Sequence, residues 1–265
     1  MEKKLVRFTS IFTCVFSLFV CAAVWTLPTI RQRVEAFSEG IIQDRKAREE
    51  RYALLEKMSG LEILDYNTQQ VQEKAEQIQA AEEQGKIKAA QEVIVMTHQM
   101  QLEIPEGTKA SKISILQKYV DKRIEIVIPG ADENYMYDYQ MLGKTEDINS
   151  LDYYSGDGSG SIVLSMNKVV EVQSSYDEDY LYLDFLSPKE IYDRVIVVDA
   201  GHGGRAPGAV SGDKYEKNIT LAIVQQLKAL FDEAKDPSIG VYYTRLDDSN
   251  PDFSNRVGLA NNSGA

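Results

Sequence analysis

The apolar and polar positions along the chain fall into successive patterns, each with its own period. From Phe8 to Leu27 no charged residue interrupts an apolar run, which is long enough to cross a hydrocarbon layer as a helix. Lys3, Lys4 and Arg7 precede it, and such basic residues stay on the cytoplasmic side. Trp25 stands near the far end, where an indole suits the interface. Residues 1–30 are therefore expected to form a cytoplasmic start and a transmembrane anchor. The rival reading is a cleaved signal peptide, with Cys21 and Ala23 as the small residues before the cut. Both readings put the rest of the chain outside the cytoplasm.

Residues 31–102 are rich in Glu, Gln, Lys, Arg and Ala. Ile30, Val34, Phe37 and Ile41 recur at helical spacing, as do Val71, Ala75 and Ile78. Gly60 and Gly85 interrupt the pattern. A helical stalk is expected, with a coiled coil and self-association as one outcome and a solvated linker as the other. The heptad is not sustained over enough turns to separate them.

From Glu103 the period changes to two. Ile124, Ile126 and Ile128 share one strand face, and Pro129-Gly130 ends that strand. Tyr135–Tyr139, Ser161–Met166 and Tyr180–Phe185 also read as strands, with a flexible loop over Ser155–Gly160. Residues 103–187 are expected to form a small β-domain, of the size of a short sandwich. Its tyrosines suit sugar stacking and are equally at home in ordinary strands.

Residues 188–265 alternate strand and helix. Val195–Asp199 is a continuous run of the kind found in a strand buried on both faces. A glycine-rich loop follows. From Glu216 to about Ala234, Ile219, Ala222, Ile223, Leu227 and Leu230 lie on one helical stripe. Val241–Arg245 reads as the next strand and Phe253–Asn261 as the next helix. This is the order of an α/β layered domain.

Composition narrows the chemistry. The formal net charge of -12 argues against nucleic-acid binding, which needs a basic surface. The two cysteines, Cys14 and Cys21, both lie in the apolar run, so the globular part has no thiol nucleophile, Cys-based zinc site or disulfide. His98 and His202 are the whole supply of imidazole, and His98 falls in the expected stalk.

The chemistry concentrates in Asp199-Ala-Gly-His202-Gly-Gly204, directly after the expected buried strand. Ligand sites in open α/β sheets form beyond the carboxyl ends of strands. Glu216 stands at the first turn of the next helix, and a loop returning through Pro207-Gly208 and Gly212 can bring its carboxylate beside His202. One imidazole and one carboxylate suit zinc. The plainer alternatives are a loop histidine with a satisfied ring and a glutamate placed by the helix dipole. Gly201–Ala206 also fits a G-x-G-x-x-A dinucleotide pattern, but Pro207 and Gly208 follow where a helix would have to open. No Gly-Lys-Ser/Thr follows, so a P-loop is out.

Val197-Val-Asp-Ala-Gly-His-Gly-Gly, then Pro207-Gly-Ala, Glu216-Lys-Asn-Ile and Thr244-Arg-Leu-Asp-Asp, resembles the zinc-dependent N-acetylmuramoyl-L-alanine amidase family. Arg256-Val-Gly-Leu-Ala-Asn looks like the helix that follows in that family. The resemblance implies Zn2+ as cofactor, with His202 and Glu216 as its first two ligands. It implies peptidoglycan as partner and hydrolysis of the amide between N-acetylmuramic acid and L-alanine. It also implies a third ligand in a Ser-x-His context and a later catalytic Glu, and neither is found before Ala265. The expectation is thus an incomplete layered α/β amidase-like domain, C-terminally truncated, preceded by a small β-domain, a helical stalk and a transmembrane helix. No catalytic residue is assigned, and the chain alone is expected to be inactive with weak or absent zinc binding. The expected location is the cell membrane, single-pass, with the globular part at the bacterial wall. The alternative is a non-catalytic, membrane-anchored envelope-binding or scaffold protein with a degenerate amidase-like domain.

Overall fold

The computed structural model describes residues 28–83, 96 and 98–265. The expected anchor over residues 1–30 lies, but for its last three positions, outside them. Among the described residues no helix is long and apolar enough to cross a membrane. The chain divides into two units, one ending at Lys57 and one running from Met58 to Ala265.

The described part of the first unit is helix α1 (Pro28–Leu55). It is polar along most of its length and carries i,i+4 ion pairs, Arg45–Glu49 and Lys46–Glu50, on its exposed surface. Phe37 and Ile41, from the stripe expected to seed a coiled coil, are exposed.

The second unit opens with α2 (Gly60–Glu83). Its start is set by a capping box. The Ser59 amide donates to the Glu62 carboxylate at 2.7 Å, and the Glu62 amide donates to Ser59 Oγ at 3.3 Å. α2 is not a free stalk. Leu64 is fully buried beside Gly143, where an added Cβ would lie 3.2 Å from Leu64 Cδ2. Thr68 Oγ1 accepts from the Gly143 amide at 2.9 Å.

The β-domain consists of two four-stranded antiparallel sheets. In chain order its strands are β1 (Met100–Glu103), β2 (Ser114–Lys118), β3 (Arg123–Pro129), β4 (Met141–Gly143), β5 (Ile148–Gly156), β6 (Ser159–Met166), β7 (Glu171–Tyr176) and β8 (Tyr180–Leu186). The sheet orders are β4-β1-β8-β7 and β2-β3-β6-β5. Period-two patterning explains the core, because Ile124, Ile126 and Ile128 are buried on β3, as are Leu181, Leu183 and Phe185 on β8.

Several segments fold otherwise than their patterns suggest. The boundary between 102 and 103 falls inside β1, so His98 belongs to the sandwich and not to a helical stalk. Its Nδ1 lies 2.7 Å from Asp184 Oδ2 on β8. Tyr135–Tyr139 does not form a strand. Asp132 Oδ1 accepts from the Asn134 amide at 2.9 Å and starts a turn that runs into a short helix, α3 (Tyr135–Asp138). Tyr135 then fills the core and donates to the Glu103 carbonyl at 2.7 Å. Ser155–Gly160 is no flexible loop but a two-residue hairpin turn, with Asp157 and Gly158 both at positive φ.

A one-turn helix, α4 (Pro188–Ile191), leads into β9 (Arg194–Val198). The hairpin β10 (Val210–Ser211) and β11 (Lys214–Tyr215) follows, then α5 (Glu216–Ala234), β12 (Ile239–Tyr243) and α6 (Phe253–Ser263). β9 and β12 pair in parallel, Val197 opposite Tyr242, so β9-α5-β12 is a crossover unit. Strand, helix, strand and helix stand where the pattern put them. Their burial does not follow it, since the residues of β9 are only half-buried or exposed. The stripe on α5 is open too, with Ile219 53% and Leu230 62% exposed, and Val224 is the helix's buried residue. A two-stranded sheet offers too little area to cover a helix of this length.

The face of this sheet that carries Val195, Val197 and Tyr242 packs with Leu259 of α6 and with Tyr119, Val120 and Val169 of the sandwich. Glu171 at the start of β7 joins the two layers, because it accepts from Tyr119 Oη at 3.0 Å and from Tyr242 Oη at 2.5 Å. Burial, reinforced by the Glu171 carboxylate, pushes both phenols well above the usual tyrosine range. Tyr242→Phe removes one charge-assisted hydrogen bond and should cost about 1.5–3 kcal/mol. Urea unfolding of the chain measures it, and an unchanged midpoint would mean that Glu171 holds the layers without Tyr242.

Candidate metal centre

The loop after β9 begins at Asp199 and presents His202 in the left-handed region, φ 61. A histidine tolerates that region better than most side chains but seldom adopts it unheld. The contacts that hold it come from two arginines, a lysine and a threonine. Arg245, directly after β12 and Thr244, is 3% exposed. Its Nε donates to the Ala200 carbonyl at 2.7 Å and its Nη1 to the Asp247 carbonyl at 2.8 Å. Its Nη2 reaches the Gly201 and Lys217 carbonyls, each at 2.9 Å, and Thr220 Oγ1 at 3.2 Å. Arg256 of α6 donates to the Ala200 and His202 carbonyls at 2.7 and 2.8 Å and to Asp199 Oδ1 at 2.6 Å. Lys217 Nζ donates to the Gly204 carbonyl at 2.9 Å and to Asp248 Oδ2 at 2.8 Å. Burial, with Arg256 nearby, lowers the Arg245 pKa. A guanidinium nonetheless stays charged at any physiological pH.

The hairpin β10-β11 returns the chain to the same place. The Glu216 amide donates to the Ala209 carbonyl and the Lys217 amide to the Pro207 carbonyl, each at 3.0 Å. Glu216 is thereby the first residue of α5, where the helix dipole favours an anion. Its Oε2 accepts from the Ala209 amide at 2.8 Å and lies 3.3 Å from His202 Nε2. Gly208, at φ +71, backs onto both side chains. An added Cβ there would come within 2.7 Å of His202 Cδ2 and 2.6 Å of Glu216 Oε2.

The two residues singled out from the sequence therefore meet. Their side chains are 40% and 43% exposed, so the pair lies at the surface and is not sealed in the core. Two ligands on a tetrahedral zinc with bonds near 2.0–2.1 Å stand about 3.3 Å apart, so the observed separation suits a shared ion. The donor set is partial. Among the described residues no group of three His, Cys, Asp or Glu side chains could hold a metal. His98 does not join the pair: it stands in the sandwich, its Nδ1 2.7 Å from Asp184 Oδ2 of β8. That carboxyl is partly buried, which raises its pKa, but the hydrogen bonds from His98 and the Gln99 amide outweigh this and lower it overall.

The reading of the sequence gave no role to Arg245, Arg256, Lys217 or Thr220. A signal was present. An arginine directly after an apolar strand, as Arg245 is, stands where burial is expected and needs acceptors. What it would grip could not be read from its position.

A profile of the N-acetylmuramoyl-L-alanine amidase family matches residues 196–265. The probable N-acetylmuramoyl-L-alanine amidase AmiB of Haemophilus influenzae is 51% identical over 55 residues, which are 20% of this chain and 12% of that protein. A relative from Buchnera aphidicola is 54% identical over 37 residues, 14% of this chain and 17% of its own length. The chain thus spans a small part of the curated relatives it matches. The catalytic domain of CwlV, an N-acetylmuramoyl-L-alanine amidase from Bacillus (Paenibacillus) polymyxa var. colistinus, aligns at 36% identity over 27% of this chain and 40% of that chain, with a TM-score of 0.26.

The Ala209 amide holds the Glu216 carboxyl below its usual value of 4.5; desolvation opposes this, and His202 adds to the lowering. A depressed carboxylate pKa contributes stability at neutral pH that is lost as pH falls through the folded value, below 4.5. Carbon-detected NMR titration should place Glu216 there. Gly208→Ala, which pushes the carboxylate off the Ala209 amide, should move the midpoint back toward the ordinary range.

Proposed function

We propose, on the premise that residues 196–265 belong to the N-acetylmuramoyl-L-alanine amidase family, that this chain carries part of a zinc-dependent peptidoglycan amidase centre. The bond at issue is the amide between the lactyl group of N-acetylmuramic acid and the L-alanine of the stem peptide. The observation that supports this reading is the 3.3 Å approach of His202 Nε2 to Glu216 Oε2 at the tip of β9.

His202 offers an imidazole nitrogen, and Glu216 offers a carboxylate whose pKa the Ala209 amide lowers, at the N-terminus of α5 where an anion is favoured. Together they would hold a divalent zinc. When bound, such an ion polarises a carbonyl and lowers the pKa of bound water toward about 7. The chain's own residues orient the two donors and keep them at the surface. No general base is assigned, because among the described residues no further acidic group joins the pair. The chain alone is thus read as a weak zinc binder that needs further donors for turnover. Action on a wall polymer places this part of the protein outside the cytoplasm. An anchor over residues 1–30 and self-association through the stalk expected over residues 31–102 belong to the same proposal.

The partial donor set also favours a second reading, a non-catalytic envelope-binding protein that uses its sandwich. Equilibrium dialysis with zinc separates the two. In the amidase reading the chain takes up zinc, and His202→Ala and Glu216→Gln each weaken it by at least about tenfold. Uptake that ignores His202→Ala, with sacculus binding intact, would leave only the second reading.

A further inference from the structure

We propose that Arg245 is a positioning residue that sets the distance between His202 and Glu216, one guanidinium gripping both chain segments that carry them. The inference deepens the zinc reading and rests on it for its functional meaning. Its structural content stands on contacts alone.

The segment carrying His202 leaves β9 and turns through Ala200 and Gly201. Arg245 holds both of those carbonyls, through Nε at 2.7 Å and Nη2 at 2.9 Å. The segment carrying Glu216 is the first turn of α5. Arg245 Nη2 also holds the Lys217 carbonyl at 2.9 Å and the Thr220 hydroxyl at 3.2 Å. Thr220 Oγ1 itself lies 2.9 Å from the Gly201 carbonyl, so the two segments are stitched at one point. Arg256 differs in reach. Its partners are Asp199, Ala200, His202, Asn250 and Pro251, on the loop side and its own approach, with nothing from α5.

Geometry makes the residue type matter. A guanidinium is a rigid planar fork whose donors point in several fixed directions, and an ammonium is a single point of charge on a flexible stem. Lysine at 245 would keep the charge and could satisfy one segment, but it could not span from Ala200 to Lys217. The buried carbonyls it abandoned would seek other partners, and the loop would drift relative to α5. Loss of the contacts that orient a metal's ligands typically costs about 10- to 100-fold in affinity.

The test compares Arg245→Lys with Val224→Ala, which removes buried side-chain volume from α5 away from the loop, at a temperature where circular dichroism shows both folded. Amide hydrogen exchange is read first, because it needs no metal. Arg245→Lys should speed exchange at Gly203, Gly204 and Ala209 by at least about tenfold, while the middle of α5 stays as protected as in the unsubstituted chain, and Val224→Ala should leave those three loop amides unchanged. Zinc dialysis is read second. Arg245→Lys should weaken uptake by roughly 10- to 100-fold, and Val224→Ala should not. Loop exchange unchanged by Arg245→Lys, or changed equally by Val224→Ala, overturns the proposal. So does zinc affinity unmoved by Arg245→Lys in a chain where His202→Ala abolishes it. If the chain takes up no zinc, or uptake ignores His202→Ala, the zinc reading falls, and the exchange result still decides whether Arg245 sets the spacing.

Discussion

A cation buried among backbone carbonyls is the constraint on which the C-terminal part of this protein turns. The Arg245 side chain is almost sealed from solvent and meets main-chain oxygens from the β9 loop, from the segment after β12 and from the first turn of α5. A buried charge without partners would cost several kcal/mol. The acceptors offset that cost only when all three pieces of chain stand in register. The same arrangement leaves His202 in a left-handed backbone conformation that the loop would have little reason to hold alone. Arg256 and Lys217 extend the principle, since the Ala200, His202 and Gly204 carbonyls each find a cationic donor.

A second polar junction fixes the layer that carries this loop. Glu171 comes from the sandwich and receives phenolic hydrogen bonds from Tyr119 on its own side and Tyr242 on β12. The Tyr119 and Tyr242 rings meet edge to face, 4.8 Å between centroids, a favoured aromatic geometry. The sandwich is therefore more than an appended module, because it covers one face of the β9-β12 pair. The opposite situation holds on α5, where Ile219, Ile223, Leu227 and Leu230 stand in the open. Such a stripe is what a helix presents to a sheet, and here the paired strands cover little beyond Val224.

Several features of the fold could be read from residue order, and the reasons are local. Alternating Ile124, Ile126 and Ile128 required a half-buried strand. The run at Val195–Val198, the amphipathic stretch from Glu216 and the strand before Arg245 gave the α/β order, because periodicity survives whatever the tertiary neighbours are. Tyr135–Tyr139 misled, since β-propensity in tyrosine reports a half-buried surface and the preceding Asp132–Asn134 turn chose a helix. His98 misled too. It looked like part of a polar helical tract, and its pairing with Asp184 on β8 depends on a strand pairing far along the chain.

By itself the sequence marked out the two side chains that meet at the tip of β9, His202 and Glu216. With two histidines in the chain and no cysteine beyond the apolar run, a histidine between glycines at a strand tip and a glutamate opening the next helix were the natural pair for a metal. Their motifs also carried the resemblance to the amidase family whose profile matches residues 196–265. Tertiary structure decided their separation, their exposure and what holds them, since these depend on Arg245 and Arg256, side chains far along the chain from His202. It likewise decided that the apolar face of α5 stays uncovered and that α2 packs on the sandwich. Hydrophobic periodicity tells which face of an element seeks burial, and only the neighbours brought by the fold determine whether burial is found.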